Sequence, residues 1–256
     1  MTISFSSVEF SAIEGDIREH LATLPSKIED FMEEHIRASL PFRIEIDGVA
    51  AGFAAIHNEK LITQFSLKEP FRSQGQAAFA RLRKMEQVTS AFVPTCDEFY
   101  LAHALDDHRQ VLRQAYFFAA TEAALHRDPP AGYRLETATD GDAAMIREVT
   151  GDFFEPVDER IAREELFLNW RGAELVGFGI KVDSYFYPNT ASIGMFTIER
   201  YRGSGAGSAT IAQLIARNWS NGVRSIAGCW YYNHRSKRTL ERAGMYSPTR
   251  LLRIEY

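Results

Sequence analysis

Apolar positions in this chain switch repeatedly between a period of two and a period near 3.6, and the switches mark out its elements. Residues 42–46 and 49–57 alternate around Asp47-Gly48, a dipeptide suited to a two-residue hairpin turn. Upstream, residues 17–24 and 27–39 carry helical spacing broken at Pro25, and Ser26 and Glu29 stand at capping-box distance before the second helix. Residues 61–67 read as a strand. Arg72-Ser73-Gln74-Gly75-Gln76-Ala77 then leads into a helix carrying Phe79, Leu82 and Met85. Residues 98–105 are predicted as a strand, with a helix from Asp106. After Phe118 the run Ala119-Ala120-Thr121-Glu122-Ala123-Ala124-Leu125 favours helix, so this part shows no closing strands.

Two prolines and a glycine in His126-Arg127-Asp128-Pro129-Pro130-Ala131-Gly132 interrupt the periodicity near the midpoint, as a linker does. The pattern beyond it parallels the pattern before it. Residues 133–139 suggest a strand, 142–153 a helix with Ala144, Ile146, Val149 and Phe153 on its apolar side, and 158–165 a shorter helix. Residues 167–170 and 175–182 form a hairpin about Arg171-Gly172, a Tyr/Pro/Asn loop spans 184–190, and 191–198 is a strand. A glycine-rich stretch, 203–207, opens a helix with Ile211, Leu214, Ile215 and Trp219 at helical spacing. Residues 225–232 form a strand, Asn233 caps the next helix, Gly244 ends it, and 246–255 closes the chain as one or two strands. Glu69 to Ala77 aligns with Glu199 to Gly207, and Asp107-His108-Arg109 with Asn233-His234-Arg235. We read a tandem duplication: a first domain at 1–126, a linker at 127–132 and a second domain at 133–256.

Composition narrows the function. A net charge of −5 argues against a general nucleic-acid surface. Two cysteines, Cys96 and Cys229, form no metal or disulfide pattern, so no metal is expected. The N-terminus does not read as a signal peptide, and no apolar run is long enough to span a bilayer. A cytoplasmic protein with no membrane partner is predicted.

The chemistry concentrates at the second glycine stretch. A strand, a glycine turn and a helix start together make an anion site, because the first amides of a helix lack internal partners and the helix dipole adds positive charge. No lysine stands between Arg202 and Ala209, which excludes a Walker loop, and Ser208 stands where a dinucleotide fingerprint needs glycine. Arg202, Gly205 and Gly207 do satisfy Arg-x-x-Gly-x-Gly. Here the sequence resembles the GCN5-related N-acetyltransferase (GNAT) family, whose motif has that form between a strand and a helix. Asn233-His234-Arg235-Ser236 and Gly244-Met245 match the family's next feature, and the resemblance runs over roughly residues 133–256.

The resemblance implies an α/β (α+β) fold of two GNAT-like domains, each a mixed, mostly antiparallel sheet flanked by helices. It implies acetyl-CoA as acyl donor and an amine acceptor, either a small molecule or a peptide, in a monomer or homodimer; the alternative is a non-catalytic acyl-CoA-binding or sensing protein. The strand bearing Phe196, Thr197 and Ile198 would pair with the pantetheine arm. The pyrophosphate would rest on the stretch Arg202, Gly203, Ser204, Gly205, Ala206, Gly207 and Ser208, with Asn233 and Ser236 nearby. Arg235, Lys237, Arg238 and Arg242 make the following helix basic, either toward CoA or as a solvated face.

The tyrosine that often serves relatives as general acid falls at Leu240, so Tyr232 and Tyr246 are the substitutes considered. A strand glutamate that serves some relatives as base has no match and falls near Ser192; Glu199 is expected to be a surface carboxylate. Cys229, Trp170 and Trp230 are expected in the core, and the loop Tyr185-Phe186-Tyr187-Pro188-Asn189 either walls the acceptor pocket or packs as an aromatic turn. In the first half Ser73, Ala77, Asp107 and Gln110 replace Gly203, Gly207, Asn233 and Ser236, so that half is expected to be structural or to shape the acceptor cleft.

Overall fold

The computed structural model describes residues 1–85 and 87–256. In chain order its elements are β1 (Ile3–Ser7), α1 (Glu14–Thr23), α2 (Asp30–Arg37), β2 (Leu40–Ile46), β3 (Val49–His57), β4 (Leu61–Leu67), α3 (Gly75–Arg83), β5 (Ser90–Pro94), α4 (Glu98–Ala104), β6 (Gln110–Ala120) and α5 (Glu122–Leu125). The second series is β7 (Tyr133–Thr137), α6 (Ala143–Thr150), α7 (Val157–Ala162), β8 (Leu166–Arg171), β9 (Glu174–Asp183), β10 (Thr190–Thr197), α8 (Ala206–Ser220), β11 (Arg224–Trp230), α9 (His234–Arg242) and β12 (Met245–Glu255).

Among the described residues twelve strands join in one sheet, in the order β1-β2-β3-β4-β5-β12-β6-β11-β10-β9-β8-β7. The pairs β4–β5 and β10–β11 are parallel and the others antiparallel. Alternation along the strands assigns the helices to faces. Tyr116 and Phe118 of β6 pack with α8 and α9, whereas Phe117 between them packs with Ile17, Leu21, Met32 and Ile36 of α1 and α2. Phe178 of β9 packs with Ile146, Phe154, Val157 and Ile161, so α6 and α7 share the α1–α2 face. Among the described residues no helix is long and apolar enough to cross a membrane.

The halves exchange their closing strands. β6, from the first series, pairs with β11 through Ile226↔Ala119 to Trp230↔Ala115. β12, the last strand of the chain, lies between β6 and β5, with Leu251↔Pro94 to Glu255↔Ser90 on one side. The expected absence of closing strands in the first half is therefore corrected.

The register of its last elements is corrected too. The strand after α3 is Ser90–Pro94, buried throughout, where periodicity carries no signal. Residues 98–105, predicted as a strand, instead form α4, because the Asp97 side chain accepts the Tyr100 N–H at 3.1 Å and caps it. The predicted helix from Asp106 gives way to β6. Asp97 is thus the counterpart of Asn233, in place of Asp107. The capping box at Ser26 and Glu29 does not form either: α2 starts at Asp30, and Glu29 makes no capping hydrogen bond with its side chain.

Candidate active site in the cleft between diverging strands

β10 and β11 are paired only at Thr190↔Arg224, Ala191↔Ser225 and Ser192↔Ile226. Beyond that point β10 stays with β9 as far as Thr197↔Gly177, and β11 stays with β6. The facing edges from Ile193 and Ala227 onward therefore separate, leaving backbone groups without a strand partner. Such groups can hydrogen-bond an extended ligand. A cavity of about 900 Å³ fills the opening, lined by residues of β10 and β11, the loop before α8, and α9.

The loop has the backbone geometry of an anion site. Residues Glu199–Tyr201 form a single 3-10 turn, after which the chain runs through Gly203 at φ +83° and Gly205 at φ +92° into the fifteen-residue helix α8. A Cβ at Gly205 would meet nothing within 4 Å, so this position faces open space as well as requiring a left-handed backbone. The N–H groups of Arg202 and Ser204 are already bonded, to the Glu199 and Tyr201 carbonyls at 3.0 and 3.3 Å. Among the described residues those of Gly203, Gly205, Ala206, Gly207 and Ser208 have no acceptor. These free amides sit at the positive end of the helix dipole. Arg202, Arg235, Arg238 and Arg242 line the same cavity. Among the described residues, no carboxylate lies within ion-pairing distance of Arg235, Arg238 or Arg242. A local cationic pocket thus coexists with an acidic chain.

The predicted donor-binding residues divide in two. Phe196, Thr197, Arg202, Gly203, Gly205, Gly207, Ser208, Asn233 and Ser236 line the cavity. Ile198, Ser204 and Ala206 do not: the Ile198 N–H is bonded to Val176, Ser204 Oγ donates to the Tyr201 carbonyl at 2.7 Å, and the Ala206 side chain is buried against Val176 and Tyr201. Asn233 Oδ1 accepts the Ser236 N–H at 3.0 Å, as a cap should.

The two catalytic candidates are not among the residues that line this cavity. Tyr246 lines a separate cavity with Pro25, Thr121 and Arg224, and Tyr232 is exposed against Trp230 and Arg113, outside the cleft. Among the described residues no tyrosine lines the cavity; Leu240 is buried there. Trp230, expected in the core, is 58% exposed at the cleft. Cys229 also lines it, its thiol pushed up to about 11 by burial. Phe186 and Tyr187 are buried against α1 and α2, which settles that loop as a packed aromatic turn.

Residues 10–121 match the family model described as Acetyltransferase (GNAT) domain, and residues 140–245 match Acetyltransferase (GNAT) family. The chain belongs to the GNAT family, with its domain present twice. A GNAT-family acetyltransferase from Colwellia psychrerythraea shares the fold over 100% of both chains, with a TM-score of 0.87 at 17% identity. A GCN5-related N-acetyltransferase from Sphaerobacter thermophilus has a TM-score of 0.69 at 16% identity, covering 99% of this chain and 95% of its own. A tandem GNAT protein from the clavulanic acid biosynthesis pathway has a TM-score of 0.62 at 15% identity, covering 100% and 98%. No curated protein sequence is significantly similar to the chain.

The two GNAT domains differ where the second is open. In the first, β4 and β5 also part after two pairings, Leu61↔Ser90 and Ile62↔Ala91. Here a polar chain spans the gap: Ser66 Oγ lies 3.2 Å from His20 Nδ1, and His20 Nε2 lies 2.7 Å from Asp97 Oδ2. All three groups are buried or nearly so. Gly75, the counterpart of Gly205, has ordinary helical geometry, and a Cβ there would collide with the His103 ring and come within 2.8 Å of Phe99. The rings of α4 therefore occupy the space an anion would need. Replacing His20 by alanine leaves two buried polar partners unsatisfied. We expect a loss of about 1–3 kcal/mol in urea unfolding with no change in CoA affinity.

The sequence gives no hint of one further group. Glu29 is buried, and its carboxylate lies against Gly228 of β11, 2.5 Å from where a Cβ would stand. Its carboxyl is held well above the usual range, first by burial and then by the neighbouring negative charge of Asp30, with Glu33 adding to it. The folded chain therefore keeps a proton that the unfolded chain releases near the ordinary carboxylate pKa, and stability falls as pH rises from there through the raised value. Asp30 and Glu33 on α2 and Cys229 on β11 are the titrating neighbours. Glu29→Gln removes this dependence. Its urea midpoint should gain on the wild type as pH rises above the ordinary carboxylate range; a constant difference would show the carboxyl to be solvated.

Proposed function

We propose that the protein transfers an acetyl group from acetyl-CoA to the amine of a small molecule or peptide by direct attack, with the donor held by the second domain. The observation that carries this reading is the set of acceptor-free amides at the start of α8, placed at the mouth of the split between β10 and β11. Amides of Gly203, Gly205, Ala206, Gly207 and Ser208 suit a pyrophosphate, and the arginines beside them suit further phosphate. The unpaired edge of β10 after Ser192 suits the amide-bearing pantetheine arm, which would add as a short strand. A backbone N–H on that edge would receive the charge that develops on the thioester oxygen.

The amine must be neutral when it attacks, the C–N bond forms as the C–S bond breaks, and the thiolate takes up a proton. Fixing both reactants in the cleft supplies much of the rate through proximity. A cleft without a lining tyrosine, with Leu240 at the position often used by the acid, is the observation that favours a second reading, a protein that binds acyl-CoA without turnover. Release of free thiol from acetyl-CoA over a panel of primary amines separates the two. Amine-dependent release supports the transferase, and tight binding with no release for any amine supports the binding protein.

A further inference from the structure

The cavity between β10 and β11 is lined from both faces of the sheet, and the two linings differ in chemistry. Met195 of β10 and Cys229 of β11 pack on the α8–α9 face. Alternation turns the next residues, Phe196 and Trp230, to the opposite face. Phe196 packs there with Phe154, Phe178 and Ile180, and Ala115, the strand partner of Trp230, packs with α1 and α2. Phe153, between α6 and α7, stands with its ring 5.4 Å from that of Phe196. The arginines of the cavity come instead from the loop before α8 and from α9. One side is therefore cationic and the other aromatic.

Two of these rings stand open to water. Phe153 is 57% exposed and Trp230 58%, and they border one cavity from the two sides of the split. Exposed apolar surface at the rim of a cleft marks a place that a ligand covers. The donor does not need it: amides and arginines suit its phosphates, and the edge of β10 suits its arm. Charge narrows what else can enter. Arg202, Arg235, Arg238 and Arg242 line the cavity, and among the described residues no carboxylate does. Glu155, close to Phe153 in the chain, is paired with Arg147 at 2.9 Å, and the Glu29 carboxyl is buried behind Gly228. An amine with several ammonium groups would meet repulsion here and no counter-charge.

We propose that the acceptor is a primary monoamine bearing an aromatic group, which Phe153, Phe196 and Trp230 hold on the α6–α7 side of the cleft. This rests on the transferase reading above. Rings set at an angle to one another, as Phe153 and Phe196 are at 62°, offer both edge and face to an incoming ring. Covering Phe153 and Trp230 removes apolar surface from water, which favours binding in proportion to the area covered. A single amine that has shed its proton brings no charge to a cationic cavity. Polyamines and other polycationic acceptors are poor substrates for the same reason. Phe153 and Trp230 thus set acceptor specificity, while the donor is held by other residues.

The test uses the full-length chain. Thiol release from acetyl-CoA is measured with ethylamine, phenethylamine and spermidine, each compared as its neutral amine so that basicity cancels. The wild type should show a kcat/KM for phenethylamine about 10–100-fold above that for ethylamine, with spermidine the poorest of the three. Phe153→Ala and Trp230→Ala should each lower the phenethylamine value about tenfold, leave ethylamine within about twofold, and leave CoA affinity by calorimetry unchanged. Trp230→Phe, which keeps a ring, should recover most of the preference. Equal rates for phenethylamine and ethylamine, or a preference for spermidine, overturn the proposal and leave the transferase reading intact. So do alanine variants that slow both monoamines alike. Hexanoyl-CoA in place of acetyl-CoA tests whether the rings hold an acyl chain: alanine variants that change donor preference but not amine preference also overturn the proposal. A wild type that binds no CoA, or binds it and transfers to none of the three amines, overturns both.

Discussion

Valine at position 205 lowers CoA affinity at least a hundredfold while the protein remains folded. The wild-type backbone there is left-handed, at φ +92°, and the space a side chain would enter is open. A β-branched residue is thus strained by about 1–2 kcal/mol and also projects into the place where phosphate must approach the amides. Each charge-assisted hydrogen bond lost is worth about 1.5–3 kcal/mol, so losing two suffices for the expected drop. Calorimetry with CoA measures it, and circular dichroism confirms the fold. The cavity-lining Arg238 gives a graded comparison: Arg238→Gln should weaken binding several-fold and flatten its salt dependence, because it removes charge without reshaping the loop.

Residues 133–256 expressed alone do not form a stable folded protein. On its own this segment lacks β6, which fills the position between β11 and β12. Without it Tyr116, Phe117 and Phe118 no longer cover the core on either face, and β11 and β12 each present a bare edge. Burial of three large side chains contributes about 5–9 kcal/mol, as much as the whole net stability of many domains. The fragment should be aggregated or molten by near-ultraviolet circular dichroism, whereas co-expression with residues 1–132 should give a soluble complex that binds CoA. A monomeric fragment with a cooperative unfolding transition would show that the strand exchange is dispensable.

Much of the fold is legible in the chain because its cues are local. Asp47-Gly48 announces a hairpin, the spacing of Ile211, Leu214 and Ile215 announces a buried helix face, and Arg202-Gly203-Ser204-Gly205-Ala206-Gly207 announces an anion site. What escapes is set by distant partners. Ser90–Pro94 is a strand because both its faces are covered, and β6 is a strand because β11 and β12 accept it, although its end, Ala119-Ala120, opens a run that reads as helix. The capping-box spacing at Ser26 and Glu29 loses to the space left by Gly228, some two hundred residues later in the chain. That pairing has no signature at either position, and so the carboxylate buried against Gly228 could only be found in three dimensions. Sequence adjacency to Asn233 and Gly244 likewise does not say which way Tyr232 and Tyr246 point.

The repeat also explains a difference between the domains. The first cleft is closed, filled by Phe99 and His103 and bridged by His20, while α1 and α2 pack over the centre of the sheet.

The most direct measurement is the stoichiometry of CoA binding to the intact chain by titration calorimetry. One molecule bound per chain, lost in Gly205→Val and kept in His20→Ala, is the predicted result. No binding, or a second equivalent that survives Gly205→Val, would contradict the assignment of the donor site to the turn that opens α8.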